Sequence, residues 1–166
     1  GGFAVPSASA SRTLNPSATI RRAGDTDLPA IIGLLADDAL GAARDDASLP
    51  LDPGYLRAFA AITGDPRQIF AVMDDDGVII GCLQITLIPG LSRRGMWRGL
   101  IESVRIASAR RGQGLGRRLF EWAIEECRAH GCGLVQLTTD KSRPDALRFY
   151  RSLGFIDSHE GLKRPL

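Results

Sequence analysis

The chain is poor in the residues that cross-link a small protein or hold a metal. It has three cysteines, Cys82, Cys127 and Cys132, and two histidines, His130 and His159. The cysteines are odd in number and lack C-x-x-C spacing, which excludes a disulfide scaffold and leaves no metal site expected. Each sits among apolar neighbours and reads as a small reduced hydrophobe, which points to a cytoplasmic protein. No uncharged apolar run approaches the ~20 residues that span a bilayer, so no membrane partner is expected. The basic stretch uses arginine almost to the exclusion of lysine and has little aromatic interleaving, so nucleic acid is disfavoured as a partner. Internal repeats are absent, and so is the basic start with a continuous apolar region that marks a signal peptide.

What is present is an ordinary globular composition. Across 166 residues, 44% are hydrophobic and 24% charged, enough for one domain that buries roughly two-thirds of the surface its unfolded chain exposes. The formal net charge of +2 hides an asymmetry. Residues 25–76 hold eleven aspartates against Arg44, Arg57 and Arg67, a net of −8. Residues 93–128 hold nine arginines against Glu102, Glu121, Glu125 and Glu126, a net of +5. Such a division suits an anionic ligand at one place and a cation at another, or two plainly solvated faces.

Residues 1–18, rich in Ser, Ala and Pro and opening on Gly1-Gly2, read as a flexible tail or the remnant of a cleaved tag, with the domain at 19–166. Ala18–Ala23 is a short strand. Asp25-Thr26-Asp27 supplies a cap for a helix through Leu28, Ile31, Ile32, Leu35 and Ala39, with Pro29 in its first turn. An Asp/Gly/Pro-rich loop leads to a second helix near Pro53–Thr63. Gln68–Met73 and Val78–Ile88 flank an acidic turn ending in Asp76-Gly77, which predicts a hairpin. Trp97–Ala107 is a third long strand. Leu115, Leu119, Trp122 and Ala123 then mark the stripe of a helix packed on a sheet, ended by Gly131 and Gly133. Leu134–Thr139 follows as a buried strand, Pro144–Leu153 as a helix stopped by Gly154, and Phe155–Ile156 as the start of a last strand. The order β-α-α-β-β-β-α-β-α-β is a mixed α/β (α+β) domain: a mixed central sheet, mostly antiparallel in its first half and flanked by helices.

The strongest local signal is Arg111-Gly112-Gln113-Gly114-Leu115-Gly116 between a strand and a helix. Glycines let the loop turn tightly so that its N–H groups converge on phosphate oxygens, and the helix start adds its own free N–H groups. Arg110, Arg111, Arg117 and Arg118 supply charge for a polyanion, though an ordinary turn with solvated arginines has the same composition. A P-loop would need a lysine and a hydroxyl that do not follow here, and the dinucleotide fingerprint needs a different glycine spacing early in a βαβ unit.

Arg111, Gly114 and Gly116 match the [R/Q]xxGx[G/A] pattern, and Ala146 to Phe155 match AxxFYxxxGF, one helix and one strand downstream. Together these identify the chain as resembling the GNAT superfamily of N-acetyltransferases, over about residues 19–160. The resemblance implies the GNAT acyl-CoA N-acyltransferase fold and acetyl-CoA as donor. Backbone groups of Val104, Arg105 and Ile106 would face the pantetheine arm. The amides of Gly112, Gln113, Gly114, Leu115, Gly116 and Arg117 would cradle the diphosphate beside Arg111. It implies transfer to a primary amine of a small molecule or peptide end by direct attack, with a homodimer left open.

The chemistry sets two demands. An amine with a pKa of about 10.4 must lose a proton before attack, and a leaving thiolate with a pKa near about 8.5 is helped by an acid. Glu102, on the strand beside the cofactor segment, is the candidate base, or else a strand glutamate paired with an arginine. Tyr150, matching the family's tyrosine, is the candidate acid, or else a packed aromatic. Arg143 stands where many family members carry Asn. The acidic segment Ala36–Asp52 suggests a small cationic amine or a basic peptide end, over acidic amino acids, as acceptor, or else is a solvated acidic loop. A non-catalytic acyl-CoA-binding or regulatory module of the same fold is the alternative.

Overall fold

The computed structural model describes residues 18–166. The expected tail therefore lies outside the described residues except for Ala18. That residue is buried and its carbonyl accepts from Arg118 Nη2 at 2.5 Å, so it belongs to the body of the fold. The sheet has five strands in the order β1-β2-β3-β4-β5: β1 (Thr19–Arg22), β2 (Gln68–Asp75), β3 (Val78–Ile88), β4 (Trp97–Ile106) and β5 (Cys132–Gln136). The first three pairings are antiparallel and the last is parallel. This is the mixed sheet, antiparallel in its first half, that the sequence predicts.

The β2–β3 turn shows why the hairpin forms. Asp76 and Gly77 both take positive φ, 52° and 87°, the conformation that matches a tight turn to the right-handed strand twist. Asp74 Oδ1 accepts from Gly77 N–H at 2.7 Å and fixes it. Alternation, interrupted by a register shift at Met73/Asp74, then sorts the strands' side chains. Ile69, Ala71, Met73, Leu83, Ile85 and Ile101 face helix α5 (Leu115–Ala129), whose Leu115, Leu119, Phe120, Ala123 and Cys127 are buried against them. Phe70, Val72 and Cys82 face the other way, onto Leu28, Ile31, Ile32 and Leu34 of α1 (Leu28–Ala36) and Phe59 of α3 (Pro53–Thr63). Each fully buried aliphatic side chain contributes about 1.5–3 kcal/mol. Gly99 of β4 lets α5 seat closely, because a Cβ there would overlap Cys127 Sγ. Cys82 and Cys127 behave as the buried thiols expected, with burial pushing each up to about 12.

Several boundaries differ from the sequence reading. The first helix stops at Ala36, and a separate helix α2 (Ala39–Arg44) follows, because Asp38 is extended and its carboxylate accepts from Gly41 N–H to start a new helix. Asp25–Asp27 form a single 3₁₀ turn. Asp27 does not cap α1; its carboxylate accepts from Gly24 N–H and from Arg21. A helical turn α4 (Ser92–Gly95), with Arg93 and Arg94 at positive φ, precedes β4. Strand β5 begins at Cys132 rather than Leu134 and includes Gly133, so Gly131, at φ 79°, is the glycine beyond α5. Helix α6 (Pro144–Ser152) is where expected. The last strand does not form: Phe155 joins an aromatic cluster with Phe120 and Tyr150, and Ile156 is 83% exposed with no ladder. No helix among the described residues is long and apolar enough to cross a membrane.

Candidate active site

Strand β4 carries the centre of the site, and a bulge sets its geometry. Gln84 pairs with Glu102 and Cys82 with Arg105, so two steps on β3 oppose three on β4. The extra residue is absorbed at Ser103, whose φ of 54° is unusual for a residue with a Cβ. The bulge resets the alternation. Ile101, Val104 and Ile106 face the α5 cluster, while Glu102 and Arg105 fall on the opposite face, toward the chain that joins α1 to α2.

The same strand loses its neighbour halfway. Pairing with β5 runs from Trp97–Cys132 to Leu100–Gln136 and stops, yet β4 continues to Ile106. Residues 101–106 have no β5 partner, which leaves an unpaired strand edge there. Beyond that edge a 3₁₀ turn (Ser108–Arg110) leads to Gly112 and Gly114, at φ 76° and 75°. These left-handed residues turn the chain into α5. The first bond there is Arg118 N–H to Gly114 C=O at 3.2 Å, so the N–H groups of Leu115, Gly116 and Arg117 precede any intrahelical acceptor. Free amides, the positive end of a fifteen-residue helix and exposed Arg111 make an anion cradle. Of the other arginines, Arg110 is held by Asp75 at 2.7 Å and by Gln113 at 3.1 Å, and Arg118 by Ala18. Arg117 reaches Ser152 Oγ at 2.8 Å. Arg117 also lies 3.9 Å from Glu121, and Arg118 keeps its charge against a neutral carbonyl, while Arg110 is paired with Asp75 and positions Gln113.

Tyr150 packs on the α5 side of the sheet, half-buried among Phe120, Phe149 and Phe155 with ring centroids 5.4–6.1 Å away. Burial pushes its phenol above the ordinary value, while the guanidiniums of Arg143 and Arg105 pull it down. Glu102 is exposed, and no hydrogen bond joins it to Tyr150. Around Glu102 the sheet is polar and half-buried: Gln84 Nε2 donates to Gln68 Oε1 at 2.9 Å, and Thr86 Oγ1 to the same oxygen at 3.0 Å. Sequence reasoning missed this patch, although alternation along Gln68, Phe70, Val72 and Cys82, Gln84, Thr86 places it on one face. It counted Asp38 only as one charge of the acidic segment and missed its pairing with two arginines. Arg143 Nη2 donates to Asp38 Oδ2 at 2.7 Å and Arg105 Nε lies 3.8 Å from that oxygen. Burial opposes ionisation of Asp38, but Gly41 N–H, Arg105 and Arg143 together hold its carboxyl below the usual range. Among the described residues no three His, Cys, Asp or Glu side chains cluster to hold a metal. A groove lined by Leu28, Leu56, Phe59, Ala60 and Thr63 lies apart from these groups and carries only Asp25 as a titratable side chain.

A parallel pair that parts beside a bulge, followed by a glycine turn into a helix, defines an acyl-CoA-dependent transferase fold. The family model described as acetyltransferase (GNAT) family matches residues 36–155, and the chain belongs to the GNAT acetyltransferase family, whose members use acetyl-CoA to acetylate amines. An aminoalkylphosphonate N-acetyltransferase of Salmonella typhimurium is 34% identical over 105 residues, covering 63% of this chain and 68% of that one. An L-methionine sulfoximine/L-methionine sulfone acetyltransferase of Pseudomonas paraeruginosa is 29% identical over 84% of this chain and 80% of its own. Among solved structures, a transcriptional regulator of Bacillus halodurans C-125 is 50% identical, with a TM-score of 0.88 over 90% of this chain and 99% of that one.

Proposed function

We propose that this chain transfers acetyl from acetyl-CoA to a primary amine by direct attack, with Glu102 as base and Tyr150 as acid. The observation that carries the reading is the continuous path along β4, from the open edge at 101–106 to the two left-handed glycines and the N-terminus of α5. When bound, acetyl-CoA supplies an activated thioester. The residues present fit it. Main-chain groups of Val104, Arg105 and Ile106 offer an extended arm the hydrogen bonds that β5 does not take. The N–H groups of Gly112 through Arg117 and the Arg111 guanidinium suit a diphosphate.

Glu102, exposed on the polar face, takes a proton from the ammonium of the acceptor, directly or through a water. Tyr150, on the α5 side of the sheet, gives its hydroxyl proton to the departing sulfur. Burial, which pushes the Tyr150 phenol up, keeps that proton in place at neutral pH for the departing sulfur. The acidic segment supports an acceptor that arrives protonated, whether a small amine or a basic peptide end. Asp38, Asp46 and Asp52 each also accept from a backbone N–H, so those carboxylates serve the local fold as well as the field. The names of the Salmonella and Pseudomonas relatives favour the small molecule.

The test is release of free CoA across a panel of primary amines. Turnover that falls by about 10²–10⁴ in Glu102→Gln supports the assignment; an unaltered rate removes Glu102 from the mechanism. The name of the Bacillus halodurans protein favours a second reading, a regulatory module that binds acyl-CoA without turnover. Tight acetyl-CoA binding with no CoA release from any amine would select it.

A further inference from the structure

We propose that Arg105 and Arg143 form a binding site for an acid group on the acceptor, and that Asp38 is the resident counter-ion which that acid displaces. The inference rests on the amine-acetylation reading above. One oxygen of Asp38 faces both guanidiniums, from three segments far apart in the chain. Its other oxygen is taken by Gly41 N–H. Asp38 is the one carboxylate that both guanidiniums approach within 4 Å; Asp140 also feels the Arg143 charge, but it hydrogen-bonds the Ser142 hydroxyl and N–H and lies 3.8 Å from Arg44. Arg105 adds a second sign. Its Nη1 donates to Val104 C=O at 2.9 Å, but its Nε is sealed from solvent with no hydrogen-bond partner. A buried donor left so is destabilising, and an acceptor atom that takes the place of Asp38 Oδ2, now 3.8 Å away, would satisfy it.

Planar guanidinium forks match a carboxylate or phosphonate oxygen pair. Location selects the acceptor rather than the donor as the bearer of that group. The bulge at Ser103 puts Glu102 and Arg105 on the same face, roughly 7–10 Å apart along the strand. A small molecule with an amine at one end and an acid at the other spans that distance, its ammonium at Glu102 and its anion at the arginines. Its ammonium end lies beside Gln84, which pairs with Glu102, and its acid end beside Cys82, which pairs with Arg105.

Initial rates of the full chain at saturating acetyl-CoA, with 3-aminopropylphosphonate, propylamine and propane-1,3-diamine, test the site. The aminophosphonate is expected to exceed propylamine in kcat/KM by about 10–100-fold, the worth of hydrogen bonds to a charged group. Arg143→Gln should erase most of that ratio, and Arg143→Lys should restore part of it. Asp38→Asn keeps the oxygen that caps Gly41 and removes only the charge, so the ratio should widen. Opposite signs from the two sides of one ion pair cannot come from a structural lock, which either change would break. The inference is overturned if both variants lower kcat/KM for all three amines alike. It is equally overturned if Arg143→Gln raises KM for acetyl-CoA in place of the acceptor's. A wild-type preference for propylamine or the diamine sinks this inference alone, whereas no transfer to any amine sinks both readings. Should a variant fail to give a folded melting profile, methylphosphonate provides a second measurement on the wild type. Inhibition competitive with the aminophosphonate is expected, and no inhibition at tens of millimolar overturns the site.

Discussion

Strands β2 and β3 and strands β4 and β5 are neighbouring pairs of one sheet, built to opposite ends. The first pair is antiparallel, matched from Gln68–Thr86 to Asp75–Val78, and its Ile69, Ala71, Val72, Met73, Leu83 and Ile85 are wholly buried. The second is parallel and ends at Leu100–Gln136, and no residue of β5 is fully buried. One half of the sheet spends its backbone groups on itself; the other leaves them available. Strand β4 belongs to both, and its bulge stands where one regime passes into the other. A rigid neighbour, paired along its length apart from one register shift at Met73/Asp74, is what allows an unpaired edge to hold its shape.

That contrast can be broken from either side. The largest effect belongs to the open half: Tyr150→Phe keeps the ring in its aromatic cluster and removes the proton, and kcat should fall by about 10²–10⁴ with acetyl-CoA affinity little changed. Stopped-flow or steady-state rates decide, and an unaltered kcat across neutral pH would return Tyr150 to the core. In the closed half, Ile85→Ala should cost about 2–5 kcal/mol in urea unfolding. A loss well below that would mean the β2–β3 half is less tightly packed than its burial implies. Gly114→Asp brings a Cβ to a positive-φ position and a negative charge to the cradle. Acetyl-CoA affinity by calorimetry should weaken roughly tenfold or more while the chain stays folded. Unchanged affinity would move the cofactor elsewhere.

The smallest effect is a titration at the closed edge. Arg21 holds the Asp27 carboxyl below the usual carboxylate range, helped by Gly24 N–H and opposed by burial. A lowered folded-state value means that this stabilisation is complete above the unfolded value of about 3.9 and is lost as pH falls through the folded one. The urea midpoint should therefore hold from pH 7 down to about pH 5 and decline below about pH 4. Asp27→Asn should flatten that decline, and an identical profile in the variant would show that other carboxylates govern it.

Local patterns were readable from the sequence because their causes are local. The stripe Leu115, Leu119, Ala123 and the Asp76-Gly77 turn needed no partner to be seen, and the glycines before α5 announced a turn into a helix. Where a partner decides, the reading drifted. Strand β5 takes its start from register with Trp97, and Phe155–Ile156 has the composition of a strand but no neighbour to pair with. Helix α2 is hidden because the apolar stripe runs on from Leu35 to Ala39, when Asp38 is the cap of a new helix. In the site, Glu102 and Tyr150 could be nominated from position and motif. The Asp38–Arg143 contact joins residues 105 positions apart, and no pattern along the chain predicts it. The positive φ of Ser103 was equally hidden, since serine carries no mark of a bulge.

Gly99 has a mechanical meaning beyond allowing a close fit. Helix α5 is a rod of about 22 Å, and it bears on β4 near its tail, where Cys127 rests on the bare backbone of that glycine. Its head, at Gly114, is the end from which the N–H groups project. A rod seated near one end converts the height of its seat into the aim of the other. The thickness of packing at a buried glycine and a thiol, far from any ligand, therefore sets the direction in which the amide cradle points. Gly99→Ala would act as a shim under a gun-sight, mistraining the head of the helix while leaving every residue of the loop as it was.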